Sequence, residues 1–311
     1  MSLAGAGAVA LAAVLDAVAA EPPARVHPVA WFGRLVAPLD REWTRPRLVG
    51  GLVALCLPAL AGGVVGGLVA LAASRSPALA ALLAGLVLFS TTSRRMLTDL
   101  ARSVVDASSA DLPRARRDLR GLAGRDAGAL SPGEVRSAAV ESAAENLADG
   151  LVAPLLGFVA GTLLGGLPLG AGLAAWVKGV NTLDSMLGYR SKPVGTASAR
   201  LDDAVMWLPA RASAALLALA AGAPRALAAA RPWLAGVPSP NSGWPMGTLA
   251  AATGARLEKP GVYTLNPDAP LPSLPVAERG VCVVDRAAWL AVALAALALA
   301  LPALPEVGGW S

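Results

Sequence analysis

Residues 48–73 contain no charged side chain. A helix needs about 20 consecutive apolar residues to cross a bilayer, so this run is long enough to span one. Other apolar segments lie at 3–20, 78–89, 151–177, 204–223 and 287–304. The 311 residues are 55% hydrophobic and 15% charged, with a mean hydropathy of +0.58. A soluble domain carries about 25% charged residues. Inside lipid, backbone polar groups must be satisfied within the protein. The expected fold is therefore all-α: a polytopic integral membrane protein, one domain over residues 1–311, with re-entrant or broken helices and a Pro-rich irregular loop region.

Net charge is +5, and among 26 basic residues only Lys178, Lys192 and Lys259 are lysine. In a membrane protein basic loops mark the cytoplasmic side. Nucleic-acid binding, the rival reading of a basic chain, is not expected, because the arginines are spread over connecting loops without interleaved aromatics. Trp43, Trp176, Trp207, Trp289 and Trp310 sit at the edges of apolar runs, as in an interfacial belt, although tryptophans in ordinary loops look the same. Cys56 and Cys282 stand alone and suggest neither a zinc site nor a disulfide framework. Residues 1–20 lack the basic start of a signal peptide, and Asp16 interrupts their end. They read as a retained first membrane helix.

Four polar regions separate the apolar segments: 21–47, 94–150, 178–203 and 225–286. The second is expected to be helical over 91–106 and 111–122. Ser131-Pro132-Gly133-Glu134 then starts another helix, with Ser131 as N-cap and Glu134 closing a capping box. The Pro-rich fourth region is expected to be irregular with short β or turn pieces. Glycine pairs four apart, Gly62/Gly66, Gly63/Gly67 and Gly157/Gly161/Gly165, allow close helix approach, though apolar Gly-rich sequence yields them by chance. A single crossing by 151–177 would put the second and third polar regions on opposite sides. The break at Gly165-Gly166-Leu167-Pro168 instead allows a hairpin that enters and returns, bringing all polar blocks to one side, the cytoplasmic one.

Those blocks carry the acids. Glu141, Glu145 and Asp149 recur at helical spacing with Asn146 beside them, and like charges at i, i+4 cost a helix about 0.2–0.5 kcal/mol per pair. A bound cation would remove that cost, and such oxygen donors suit Mg²⁺; a solvated face paired with loop arginines is the alternative. Lys178, Asn181, Asp184 and Ser185 share a helix face and offer groups that can hold a phosphate and its metal, or merely end a helix. Arg200, Asp202 and Asp203 precede an apolar segment, which either Asp can cap. His27, the only histidine, is a base, a substrate contact or a turn residue. Trp244, in Ser239-Pro240-Asn241-Ser242-Gly243-Trp244-Pro245, can stack on a planar ligand or plug its loop onto the fold. Standard nucleotide, zinc-protease and Ser-His-Asp signatures are absent.

In order, LDAVAAEPPARVHPVAWFGRL (15–35), ESAAENLADGLVAPLL (141–156), KGVNTLDSMLGYRSKPVGTASARLDDAVMWLPAR (178–211) and PSPNSGWPMGTLAAATGARLEKPGVY (238–263) resemble the CobD/CbiB family of cobalamin biosynthesis. The blocks cover roughly a third of the chain, and the middle two are the most specific. Ala20-Glu21-Pro22 stands where the family usually has Gly-Asp-Pro, Met246 where an acid follows Gly-Trp-Pro, and 190–197 is shortened.

The resemblance implies an adenosylcobinamide-phosphate synthase, an acid–amine ligase. It would join (R)-1-aminopropan-2-ol, or its O-phosphate, to adenosylcobyric acid, with ATP as cosubstrate and Mg²⁺ as metal. On that reading Glu141, Glu145, Asp149 and Asp184 hold the metal. Lys178 and Arg200 meet phosphate, Asn146 and Asn181 orient, and Asp202 or Asp203 takes the proton of the amine. Glu145, Asp184, Lys178 and Asp203 are then the catalytic group. His27, Trp244 and Tyr263 line the corrinoid pocket. The implied setting is the cell membrane, multi-pass, with the site facing the cytoplasm and other late-pathway enzymes as candidate partners. A transporter using the acids as a coupling site is the alternative; acids at segment ends favour the enzyme. A lipid-linked phosphotransferase lacks its DGxxAR signature here.

Overall fold

The computed structural model describes residues 2–124, 126–189 and 191–301. Trp310 and the end of the last apolar segment lie outside the described residues. The chain opens with α1 (Ser2–Ala19), α2 (Pro28–Val36), α3 (Pro46–Ala73) and α4 (Pro77–Thr91). Next come α5 (Arg95–Ala110), α6 (Leu112–Asp118) and α7 (Pro132–Leu147), which runs through a π-helical turn, Ala148–Val152, into α8 (Ala153–Leu187). Beyond it lie α9 (Thr196–Val205), α10 (Trp207–Ala220), α11 (Ala226–Leu234) and α12 (Gly243–Thr253). A small antiparallel pair, β1 (Leu257–Lys259) and β2 (Tyr263–Leu265), leads to α13 (Leu274–Ala300).

The fold is an all-α membrane bundle, as the apolar runs require. Among the described residues four helical stretches are long and apolar enough to cross a membrane: Pro46–Ala73, Pro77–Ala110, Pro132–Leu187 and Leu274–Ala300. The pair Pro193–Val205 and Trp207–Ala220, bent by 47°, makes a fifth if taken as one span. Leu3–Ala19 is shorter. It packs on α4 and α13, with Ala8, Val9 and Ala12 buried. Leucines along α3, including Leu52, Leu55, Leu60 and Leu68, face outward, as lipid-facing side chains do.

The stretch from α7 to α8 does not run straight. Gly165 and Gly166 leave helical geometry, Gly166 with φ +77°, a conformation that glycine adopts without a Cβ penalty. The chain folds back there, and the limbs pack backbone to backbone. A Cβ on Gly161 would lie 2.6 Å from the carbonyl oxygen of Leu169, and one on Gly157 3.2 Å from that of Leu173. The expected hairpin is present, with both polar ends on one side. The other glycine pairs divide: Gly62 and Gly66 let α3 approach the returning limb at Gly172 and Pro168, whereas Gly63 and Gly67 meet nothing.

The Ser131 capping box forms as its residues dictate. One expectation is met in part and one needs correction. Region 225–286 holds the expected short β pair and irregular connections, but about half of it is helical, because its prolines fall mainly in loops or first turns, where a missing N–H costs little; α13 begins at Leu274 with Pro275 in its first turn. Asp202 and Asp203 do not cap the next helix. They lie inside α9, and α10 starts at Trp207 after Met206, which gives it no side-chain cap.

A charge cluster closes the opposite end of α1. The α5 N-terminus has no cap of its own, and its free N–H groups need acceptors. Asp16 of α1 supplies them, accepting from the Arg94 and Arg95 N–H groups at 3.0 and 3.1 Å and from Arg94 Nε at 3.0 Å. Arg94 also donates to Asp285 of α13 at 2.6 Å and stacks over Trp289.

Candidate active site

At the mouth of the hairpin three segments deliver acids to one place. The first is the π turn, which carries Asp149. Its extra residue rotates the downstream helix by about 100° relative to an uninterrupted one. The turn is tied from outside: Ser93 N–H, just before the Asp16-capped helix, donates to the Gly150 carbonyl at 2.8 Å. The second is the end of α8, with Lys178, Asn181 and Asp184 on one face. The third is α9, with Asp202 and Asp203. The connection between these two helices is tight, for a Cβ at Gly195 would overlap the Leu187 carbonyl, and one at Gly188 the Asp184 carboxylate.

Asp149 and Lys178 attract one another, and the Asn181 amide lies close to both Asp149 and Asp202. Asp184 lies within electrostatic range of Asp149, Asp202 and Asp203. The position of α9 is fixed from behind by buried Asn241, whose Nδ2 donates to the Asp203 carbonyl at 2.7 Å. Arg211 in turn donates to Asn241 Oδ1 at 3.1 Å.

Lys178 faces Asp149 and Glu21, and Asp184 and Asp202 lie beside Asp149, so carboxylates outnumber the one ammonium. Asp184 Oδ1 and Asp202 Oδ1 are buried without a hydrogen-bond partner among the described residues. Burying such a group is costly, and hard anionic oxygens suit Mg²⁺, which takes one or two carboxylates and completes its shell with water and phosphate oxygens. The residues fit that ion in this partial sense. Among the described residues no three His, Cys, Asp or Glu side chains are already grouped to hold a metal by themselves.

Beside the acids a cleft is lined by Glu21, Ser93, Asn146, Gly150 and Lys178. A second, mostly apolar cavity of about 110 Å³ also meets Lys178, walled by Pro28, Val29 and Phe32 of α2 together with Gly179 and Thr182. His27 caps α2: its Nδ1 accepts from Val29 N–H at 3.2 Å, and its Nε2 stands 3.7 Å from Glu21 Oε2. That acceptor role at Nδ1 puts the proton of the neutral ring on Nε2, facing Glu21. Burial lowers the His27 pKa below its ordinary 6.5; Glu21 opposes this and Lys178 reinforces it.

The structure thus brings together Asp149, Lys178, Asn181, Asp184, Asp202 and Asp203, with Asn146 and His27 at the edge. Other expected residues sit elsewhere. Glu141 is fully buried and accepts a 2.5 Å hydrogen bond from the Tyr263 hydroxyl, which also approaches Met246; both are engaged within the fold, and Glu141 lies two helical turns before Asp149. Glu145 is half-buried one turn before Asp149. Glu141 therefore stands apart from Asp149 and Asp184, with which it is expected to share the metal. Arg200 is exposed on α9, without an ion pair among the described residues. Trp244 stacks on Arg211, which also covers Trp207, so it buttresses Asn241. Asn241 and Arg211 carry no site role in the sequence reading, and Glu21 enters it only as the acid standing in the family's Gly-Asp-Pro position. The acid before Pro22 was the available signal for Glu21, whereas the other two act through contacts between distant segments.

Comparison with known proteins gives a consistent answer. The family model described as CobD/Cbib protein matches residues 9–291. A protein of Methanothrix thermoacetophila named probable cobalamin biosynthesis protein CobD is 34% identical over 309 residues, covering 94% of this chain and 96% of its own. Cobalamin biosynthesis protein CobD of Klebsiella pneumoniae is 40% identical over 266 residues, 80% and 81% of the two chains. Cobalamin biosynthesis protein CbiB of Salmonella typhi is 35% identical over 321 residues, 96% and 97%. No solved structure matches.

Proposed function

The chain belongs to the CobD/CbiB family, and from that premise we propose that it is a membrane-embedded ligase of cobalamin biosynthesis, forming an amide between adenosylcobyric acid and 1-aminopropan-2-ol or its O-phosphate at the expense of ATP. One observation supports the reading: Asp149, Asp184 and Asp202, from three separate segments, come within electrostatic range of one another at the mouth of the hairpin, with Lys178 facing Asp149.

A carboxylate is a poor acceptor for an amine. Transfer of the ATP γ-phosphoryl group to the acid gives an acyl phosphate and ADP. The amine nitrogen then attacks the acyl carbon, the C–N bond forms, the C–O bond to phosphate breaks, and inorganic phosphate leaves. Asp184 and Asp202, with Asp149 beside them, would hold Mg²⁺, which when bound offsets charge on the ATP phosphates. Lys178 adds a fixed positive charge toward the cleft that Asn146 also lines. Asn181 orients Asp149 and Asp202. Asp203 is the candidate acceptor for the proton lost from the attacking amine. We place this chemistry on the cytoplasmic face of the cell membrane, where ATP is available.

The experiment is an assay of purified protein in detergent with adenosylcobyric acid, aminopropanol phosphate, ATP and Mg²⁺, monitoring the amide product. Asp184→Asn and Asp202→Asn are expected to abolish product, and to lose the Mg²⁺-dependent rise in melting temperature that ligation gives the parent protein. Product formation undiminished in both variants would move the reaction elsewhere. An inactive parent protein, beside a working family member, would overturn the reading itself.

A further inference from the structure

The segment between α1 and α3 has a second apolar surface that the amide-forming reading does not use. The inner face of α2 packs on α8: Phe32 lies over Gly179, Gly33 against Met186, and Val36 is buried beside Leu183 and Leu187. The outer face presents Trp31 and Leu35, one turn apart and 52% and 55% exposed. Val26 before it and Leu48 after it are equally bare. Arg25, Arg34, Arg41, Arg45 and Arg47 are all exposed around this patch. Its acids offset little of that charge: Glu21 is turned toward His27, and Asp40 is held by Lys192 at 2.7 Å. Only exposed Glu42 remains. Arg45 and Arg47 also line a surface hollow with Pro46, Leu48 and Pro193.

We propose that α2 and its flanking arginines form a membrane-surface anchor that docks on anionic lipid headgroups. Two observations choose this occupant. The stretch runs directly into α3, where Leu48 opens the row of exposed leucines of a helix long and apolar enough to span a bilayer, so it stands at the end of that span. It also joins apolar anchors to a cluster of arginines, the composition that binds a negatively charged leaflet. A tryptophan is the side chain suited to that boundary. The inner face of the same short helix walls the Lys178 cavity. The anchor stands whether or not the amide chemistry is correct.

The test places a nitroxide at Leu35→Cys, in full-length protein with Cys56 and Cys282 replaced by Ser, reconstituted in nanodiscs. A second protein carries the label at Trp31→Cys, in case one substitution disturbs folding, and a label at Leu55→Cys reports a fixed lipid-facing position. In discs containing phosphatidylglycerol, the labels at 31 and 35 are expected to be accessible to oxygen and shielded from a water-soluble nickel chelate. In phosphatidylcholine alone, in high salt, or with Arg34, Arg41, Arg45 and Arg47 changed to Gln, they shift toward the chelate while the label at 55 does not. Labels open to water in every lipid would overturn the proposal, as would equal burial in all of them. Shielding from both reagents with spin–spin broadening would overturn it in favour of a second copy on this face.

Discussion

His27 reports on two elements at once, through the cap it gives α2 and through its place between Glu21 and Lys178. Its side chain is 13% exposed, and burial disfavours the imidazolium. As pH falls the unfolded chain therefore takes the proton first, near 6.5. The fold keeps its full stability above that value and loses the His27 contribution as pH drops through the lower folded pKa. Since the chain has one histidine, NMR of histidine-labelled protein tracks it directly. Its midpoint is expected below 6.5, lower still in Glu21→Gln and higher in Lys178→Met. A midpoint at or above 6.5 in the parent would show that the ring is not buried as described. None of this could be read from Arg25-Val26-His27-Pro28, which is equally compatible with a turn histidine in water.

The hairpin is the element that makes the site, and it was largely legible. Two adjacent glycines followed by Leu-Pro inside an apolar run leave few other ways to satisfy the backbone. Gly161 tests it. An added methyl there meets the Leu169 carbonyl, and overpacking of this kind costs about 1–3 kcal/mol. Gly161→Ala is expected to lower the melting temperature in detergent and to weaken Mg²⁺-dependent stabilisation, because the limbs that carry Asp149 and Lys178 are spread. Gly63→Ala, where a Cβ meets nothing, is the control and should be neutral. Equal behaviour of the two would mean that the limbs do not touch at Gly161. The π turn next to the hairpin was not legible. Ala148-Asp149-Gly150-Leu151-Val152 suits an ordinary helix, and the turn is tied by a donor on residue 93.

At the scale of the molecule, α1, α5 and α13 are pinned together by Asp16, Arg94 and Asp285, and the loop so fixed also holds Gly150 through Ser93. Removing one partner of a buried charge pair costs about 3–5 kcal/mol. Asp16→Ala is expected to fall at the low end of that range, since Asp285 still faces Arg94. Asp285→Ala should cost less, being the more exposed carboxylate. Thermal unfolding in mild detergent ranks the two, and the reverse order would show that the cluster is organised around α13 instead. In sequence Asp16 only interrupts an apolar run; its partner lies 78 residues away.

The pattern of apolar runs, arginine-bearing connections and Gly-Pro breaks determined by itself that this chain is a helical membrane bundle with a folded-back segment, because lipid leaves the backbone no other way to bond. The acid-bearing blocks at 141–156 and 178–211 likewise marked where polar chemistry gathers. Which acids meet was decided only in three dimensions. Spacing along a helix placed Glu141, Glu145 and Asp149 on one face, but a turn with one extra residue altered the phase, and Tyr263 engaged Glu141 in the interior. Asp202, read as a cap, became part of the cluster because a tight turn at Gly195 folds α9 back beside α8. Local sequence sets the period of an element; the partners of its side chains are set by packing between segments far apart in the chain.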